Sequence, residues 1–252
     1  MTRARLADPQ PVVSDRLRAR LAAKMAERGI DLAERPLPDT PQPIPALEAA
    51  QLRIPFAYRD AVAEHPDVAA WVRTIADAAV APNADGLHPH YGNTGRRRVA
   101  HGPSLLLWGN TGTGKTHQAY GAIRALTATG CGVLWHATTA ADLYAEMRPR
   151  TGVDPEFMLR RIVRVPLLLL DDVGAAKGSE WTEELNFRLL NWRAQNRLPT
   201  IVTTNLPPVR TEDTDPRKPV LRDKVGDRVL SRLSGMCTPV HFTGPDRRFQ
   251  RR

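Results

Sequence analysis

Residues 104–129 write a strand, a glycine-rich turn and a helix in immediate succession. Ser104-Leu105-Leu106-Leu107-Trp108 is an apolar run, Gly109-Asn110-Thr111-Gly112-Thr113-Gly114-Lys115-Thr116 follows it, and His117 to Thr129 can be helical. The turn reads G-x-x-x-x-G-K-T, the P-loop pattern, and a preceding strand and following helix are the context that this pattern needs. Gly109, Gly112 and Gly114 allow the backbone to curl so that its N–H groups converge on an anion. The helix beginning near Gly114 adds its positive N-terminal end. Lys115 has the reach to meet β- and γ-phosphates, and Thr116 supplies a hydroxyl for Mg²⁺. The expected ligands are therefore ATP and Mg²⁺, cradled by residues 109–116 with His117 at the edge.

Nucleotide binding alone gives no chemistry, so the rest of the chain matters. Leu167-Leu168-Leu169-Leu170 is apolar throughout, as a strand covered on both faces should be, and it ends in Asp171-Asp172. Such a strand delivers its terminal acids to the edge where the phosphates lie. Asp171 is the expected metal ligand together with Thr116, and Asp172 the group that polarises an attacking water. Ile201-Val202-Thr203-Thr204-Asn205 is another such strand, and Asn205 can orient water or a phosphate oxygen without adding charge. Arg228 and Arg232 stand four residues apart on one face of a helix expected near 221–235, where an arginine can reach a neighbouring subunit's ATP. Lys115, Asp172, Asn205, Arg232 and Arg228 form the candidate catalytic set.

The order of elements predicts the fold class. Strands are expected at 104–108, 132–136, 166–170, 200–204 and 239–242. Helices are expected at 114–129, about 139–147, about 154–164, 179–196 and about 221–235. Alternation of this kind means an α/β domain with a mainly parallel sheet. Upstream, Ser14 and Gly29 bracket a helix with a narrow stripe of Leu17, Leu21 and Met25 among basic residues. Pro36, Pro38, Pro41, Pro43 and Pro45 then describe an extended linker. Pro66, Val68, Trp71, Val72, Ile75 and Ala79 have helical spacing. Residues 81–103 read as a loop. Its His88, His90 and His101 lack partners at metal-ligand spacing. The division is 1–34 as a helical segment, 35–46 as linker, 47–95 as a helical partner-binding region and 96–252 as the ATPase domain.

Of 252 residues, 42% are hydrophobic and none of the apolar runs reaches membrane-spanning length. The two cysteines, Cys131 and Cys237, form no disulfide framework or metal spacing, and no secretory signal opens the chain. A cytoplasmic setting is expected. The formal net charge of +9 favours a polyanionic partner, with nucleic acid the first candidate.

The strings Leu170-Asp171-Asp172-Val173-Gly174, Pro199 through Leu206, and Gly226 through Leu233 resemble the AAA+ ATPases. Within them the chain is similar to the DnaC/IstB-like group, which includes bacterial replicative helicase loaders and transposition helper ATPases. The resemblance covers about residues 100–245. It implies a P-loop NTPase with an AAA+ core: a parallel five-stranded sheet flanked by helices, a helical N-terminal region and no C-terminal helical lid. It makes Asn205 the sensor 1 residue and Arg232 the leading arginine finger, with Arg228 second. With no lid, it gives no reason to seek a sensor 2 arginine after Phe242. Asp172 stands where many AAA+ proteins have Glu, which predicts slow turnover. The implied function is ATP-dependent assembly on DNA, single-stranded in the first instance, to load or remodel a replicative helicase. A transposase is the alternative partner, and a non-hydrolysing, ATP-gated DNA-binding module the remote alternative. Homo-oligomers are expected to form through the ATP site.

Overall fold

The structure is a computed structural model describing residues 53–80, 97–152, 154–212 and 214–249, together with Arg20, Ala23 and Lys24. The latter three are helical and exposed. The rest of the expected 14–28 helix, the proline linker, and His88 and His90 lie outside the described residues. The chain divides into two compact units, Met1–Ile44 and Pro45–Arg252, and the sheet with its flanking helices belongs to the second.

The elements of this second unit are α1 (Pro66–Asp77), β1 (Ser104–Gly109), α2 (Lys115–Ala128), β2 (Trp135–Thr139), α3 (Ala140–Glu146), α4 (Pro155–Val163), β3 (Leu167–Asp171), α5 (Glu180–Gln195), β4 (Thr200–Thr204), α6 (Leu221–Met236) and β5 (Cys237–Phe242). All five strands are parallel, in the order β2-β3-β4-β1-β5. Strand β4 thus separates β1, which leads into the glycine-rich loop, from β3, which ends in the acids. The carboxyl ends of all three open on one edge, and this topology gathers the site.

Two strands begin elsewhere than the apolar runs suggest. β2 starts at Trp135, not Gly132, because pairing with β3 sets Trp135 opposite Leu167 and Thr139 opposite Asp171. Leu134 is left exposed ahead of it. β5 starts at Cys237, two residues before the expected 239, and runs through Pro239. A proline lacks the ladder N–H, which an edge strand tolerates on its outer side. Cys131 and Cys237 are both buried free thiols, and burial pushes the Cys237 thiol up to about 12.

Helices start where local chemistry allows. Asp154 and Ser179 cap α4 and α5 by accepting backbone N–H bonds, with Pro155 at the first position of α4. α6 is two helices joined at a kink, since Gly226 has φ of 81°, and a Cβ there would collide with the Glu183 carboxylate. Leu143, Leu159, Leu189, Val229 and Leu233 pack on one face of the sheet with Leu168 and Leu170. Val68, Trp71, Val72 and Ile75 of α1 pack on the other with Ile123, Leu126, Leu105 and Leu107. Each such burial contributes about 1.5–3 kcal/mol.

This second cluster joins residues 53–80 to the sheet within the unit Pro45–Arg252. Residues 53–80 do not stand apart from the ATPase unit but complete its core. Trp71 donates from Nε1 to the Pro103 carbonyl at 2.7 Å, and Arg124 of α2 donates to the Ala61 carbonyl at 2.6 Å. The Tyr58 ring stacks on Tyr120 of α2 at 4.8 Å.

Candidate nucleotide-binding site

The loop from Gly109 to Thr116 leaves β1 and enters α2 with three left-handed glycines: φ is 140° at Gly109, 77° at Gly112 and 100° at Gly114. These values are open to glycine and strained for other residues. Gly114 is the N-cap of α2, and no side chain caps the first turn, so its N–H groups remain for an anion. Thr113 steadies the loop by donating from Oγ1 to the Asn110 carbonyl at 2.8 Å. Asn110 and Thr111 are exposed at the mouth, while His117 lies half-buried on the first turn.

Lys115 is only 6% exposed. Its ammonium donates to the Gly109 carbonyl at 2.9 Å and to the Asn110 carbonyl at 2.7 Å. Burial lowers its pKa, and the charges of Asp172 and Asp171 oppose that shift. The lysine is therefore folded back against its own loop, within the field of both acids.

Thr116 donates from Oγ1 to Asp171 Oδ1 at 3.0 Å, and Thr203 donates to the same oxygen at 2.5 Å. A hydroxyl and a carboxylate in contact are hard oxygen donors, which fits Mg²⁺ sharing its remaining positions with phosphate and water. Among the described residues no three His, Cys, Asp or Glu side chains cluster as a self-sufficient metal cage. Asp172 has a left-handed backbone, φ 56°, and its N–H donates to Thr203 Oγ1 at 2.9 Å. Asn205 donates from Nδ2 to Asp172 Oδ1 at 2.7 Å. Asn205 thus reaches the expected edge, but its amide holds Asp172 instead of pointing freely at a phosphate. Burial raises the Asp172 pKa above its ordinary 3.8, Asp171 adds to the shift and Lys115 opposes it.

Lys115, Thr116, Asp171, Asp172 and Asn205 are therefore brought together. Arg228 and Arg232 are not part of that cluster. Both are exposed on α6 and turn to α5, where the Arg228 guanidinium lies 3.9 Å from the Phe187 ring centroid and 3.4 Å from Glu184. Arg232 lies 5.9 Å from the same ring and, among the described residues, forms no ion pair.

Three contributors are not marked by any sequence motif. Thr203 bridges the two acids; its position two residues before Asn205 on the same strand is the available signal. Tyr120, one helical turn beyond Thr116, is buried and lies in the field of Asp171, its phenol pushed up to about 12 by burial first and Asp171 second. The third is the segment after β5. Among the described residues β5 is followed by 243–249, ending in a 3₁₀ turn at Arg247–Phe249, with no helical lid. This segment nevertheless returns to the loop: the Arg247 N–H donates to the Gly112 carbonyl at 3.0 Å. The Arg247 guanidinium comes within 3.6 Å of the point where Gly114 would carry a Cβ.

The model of the IstB-like ATP binding protein family matches residues 98–252. The replicative helicase loader DnaI of Bacillus subtilis is 24% identical over 163 residues, which cover 63% of this chain and 50% of DnaI. The chain thus spans about half the length of that relative. A crystal structure of the DnaC helicase loader superposes with a TM-score of 0.55 at 23% identity, covering 75% of this chain and 100% of that one. A crystal structure of DnaI superposes with a TM-score of 0.50 at 19% identity, covering 80% and 92%. At such identities the two superpositions speak for the fold. The family match, by contrast, covers more than half of the chain, including the loop, both acids and the segment that follows β5, and so this chain belongs to the IstB-like ATP binding protein family.

Proposed function

We propose that the chain is an ATP-hydrolysing assembly factor that oligomerises through its ATP site, engages DNA and loads or remodels a replicative helicase. The observation that carries the ATPase reading is the pairing of Thr116 with Asp171 beside Asp172 and Lys115, on one edge of a parallel sheet. In this reading the loop N–H groups and Lys115 bind the phosphates, and Thr116 and Asp171 hold Mg²⁺. When bound, the metal offsets phosphate charge and orients the γ-phosphate. Asp172, fixed by Asn205 and the Thr203 hydroxyl, accepts a proton from the attacking water. Arg232 is the finger offered to the next subunit, because Arg228 is already engaged by Glu184. The helicase as partner is supported by the DnaI relative. The IstB-like family match favours a second reading with a transposase as partner.

Single-stranded DNA suits the face of α4, α5 and α6. Arg161 lies over Phe157 at 5.9 Å, Arg164 over Trp192 at 5.7 Å and Arg228 over Phe187. Phe157 and Trp192 are exposed. Arginines interleaved with aromatic rings offer phosphate contacts and base stacking together.

The test is ATP hydrolysis against protein concentration, with and without single-stranded DNA, for wild type and Arg232→Ala. The rate per subunit should rise with concentration, and Arg232→Ala should lower it by about 10³-fold while ATP binding persists. A rate per subunit that is flat with concentration and indifferent to the mutation would end the trans-finger reading. Co-purification with a helicase or with a transposase separates the two partners.

The Asp172 environment sets a pH dependence. Burial and Asp171 disfavour its charged form, so a larger fraction is protonated at a given pH than for an ordinary carboxylate. As pH falls through the raised pKa, hydrolysis should fall with it. The acid limb of kcat/KM should therefore lie above the 3.8 of a free Asp side chain, and Asp172→Asn should remove both limb and turnover. A rate unchanged down to about pH 4 would be incompatible with Asp172 as the base.

A further inference from the structure

The segment Gly244–Phe249 crosses the glycine-rich loop from outside the sequence motifs. Three contacts place it. The Arg247 N–H donates to the Gly112 carbonyl at 3.0 Å. The Asp246 carboxylate packs so closely on Gly112 that a Cβ there would collide with it. The Arg247 guanidinium comes within 3.6 Å of the point where Gly114 would carry a Cβ. Asp246 Oδ1 also accepts from the Arg248 N–H at 2.9 Å and from Arg248 Nε at 3.1 Å, which orders that side chain beside the loop.

We propose that Gly244–Phe249 is a strap that completes the phosphate site in cis, anchored on Gly112 through Asp246 and the Arg247 backbone, and presenting the Arg247 and Arg248 guanidinium groups to the γ-phosphate end of ATP. The inference rests on the nucleotide-binding reading of the loop and extends it to residues outside every motif.

Charge makes the need for the strap concrete. Without it the side-chain charge at the phosphate end is one lysine against two aspartates, Asp171 and Asp172, offset by the loop N–H groups and by Mg²⁺ when bound. The strap adds two arginines and one carboxylate, and that carboxylate is already satisfied by Arg248. Bonds from the Arg248 N–H and then from its guanidinium hold Asp246 below the usual carboxylate range, so the anchor stays ionised at neutral pH. The charge of Arg248 reaches Lys115, whose pKa it helps to lower, and Tyr58 across the site. Arg247 is exposed and, among the described residues, forms no ion pair, which leaves its guanidinium available to a phosphate. Gly112 is required twice over, by its positive φ and by the carboxylate lying against it.

The experiment is titration of the full chain with Mg²⁺-ATP and with Mg²⁺-ADP for wild type, Arg247→Gln/Arg248→Gln, Asp246→Ala and Lys115→Ala. The double variant should lose about tenfold in ATP affinity and under threefold in ADP affinity, as befits charge-assisted contacts to the terminal phosphate. Asp246→Ala should move ATP affinity in the same direction by less, and Arg247→Lys/Arg248→Lys should restore part of the loss. Both arginines are exposed, so the wild-type melting temperature without nucleotide should persist in the variants. ATP affinity within twofold of wild type in the double variant, or equal losses for ATP and ADP, would overturn the strap while Lys115→Ala still weakened ATP binding by about a hundredfold. If Lys115→Ala bound ATP normally as well, the nucleotide reading itself would fall.

Discussion

Lys115→Ala will weaken ATP binding by roughly a hundredfold, equivalent to about 3 kcal/mol, and leave the fold in place. The lysine is buried and already aimed along the loop through its bonds to the Gly109 and Asn110 carbonyls. When a nucleotide enters, the ammonium exchanges carbonyl oxygens for phosphate oxygens with little rearrangement. Its removal leaves a polyanion facing Asp171 and Asp172 with no buried cation between them. Truncating one partner of a desolvated charge pair costs about 2–5 kcal/mol. A loss near the lower part of that range is expected because the loop N–H groups, the α2 N-terminus and Mg²⁺ remain. The loop should keep its shape, since the Thr113–Asn110 bond and the glycine conformations do not involve the lysine. Wild type should gain thermal stability with saturating ATP, and the variant should lose most of that gain while its ligand-free melting temperature stays close to wild type. Affinity retained within threefold would refute the loop as the phosphate site.

Contiguous residues decide what is legible in the sequence. β1, the glycine-rich loop and α2 are continuous, and each step follows from local chemistry. The acids after β3 are legible for the same reason, because a buried strand must end and its last residues must face an edge. The fold class follows from alternation alone. What stays hidden depends on chain crossings. Thr203 bridges Asp171 and Asp172 only because β4 inserts between β3 and β1. Asn205 is readable as an edge residue, yet its partner, Asp172, comes from a neighbouring strand. Strand β2 starts later than its apolar run because register, not hydrophobicity, fixes an edge strand. Residues 53–80 read as an independent module because an amphipathic helix does not say what it covers. Asp246–Arg248 belong to no motif, and nothing in their composition reveals a hydrogen bond to Gly112.

Arg193→Met will destabilise the unit by about 3–5 kcal/mol without altering nucleotide affinity per folded molecule. Arg193 is fully buried on α5, and no periodic or motif signal marks it. Its Nε donates to Thr200 Oγ1 at 2.7 Å, Nη1 to the Val163 and Val165 carbonyls at 3.1 and 2.7 Å, and Nη2 to the Pro199 carbonyl at 2.7 Å. One side chain thereby ties the end of α4, the approach to β3 and the start of β4, at the sheet edge opposite the phosphate loop. Burial lowers its pKa to about 9, which still leaves it cationic at neutral pH. Among the described residues no carboxylate accepts from it. The charge is held by carbonyl dipoles, including that of Val163 at the C-terminal end of α4, where a cation is favoured. Replacing both members of a buried ion pair by apolar groups can be neutral, but here three of the four acceptors are main-chain carbonyls and cannot be replaced. Each acceptor left dry costs about 1–3 kcal/mol. The total falls short of the full sum because Arg193 lines a cavity of about 460 Å³ with His101, Gly102 and Pro103, through which water can reach some of the vacated groups. For a unit of this size the expected loss is roughly 10 °C in melting temperature. Arg193→Lys should fall between the two, keeping the charge but losing the planar fork. Urea unfolding of the three proteins decides the matter: a Met variant within about 1 kcal/mol of wild type would mean that water alone satisfies the carbonyls and that Arg193 is dispensable to the fold.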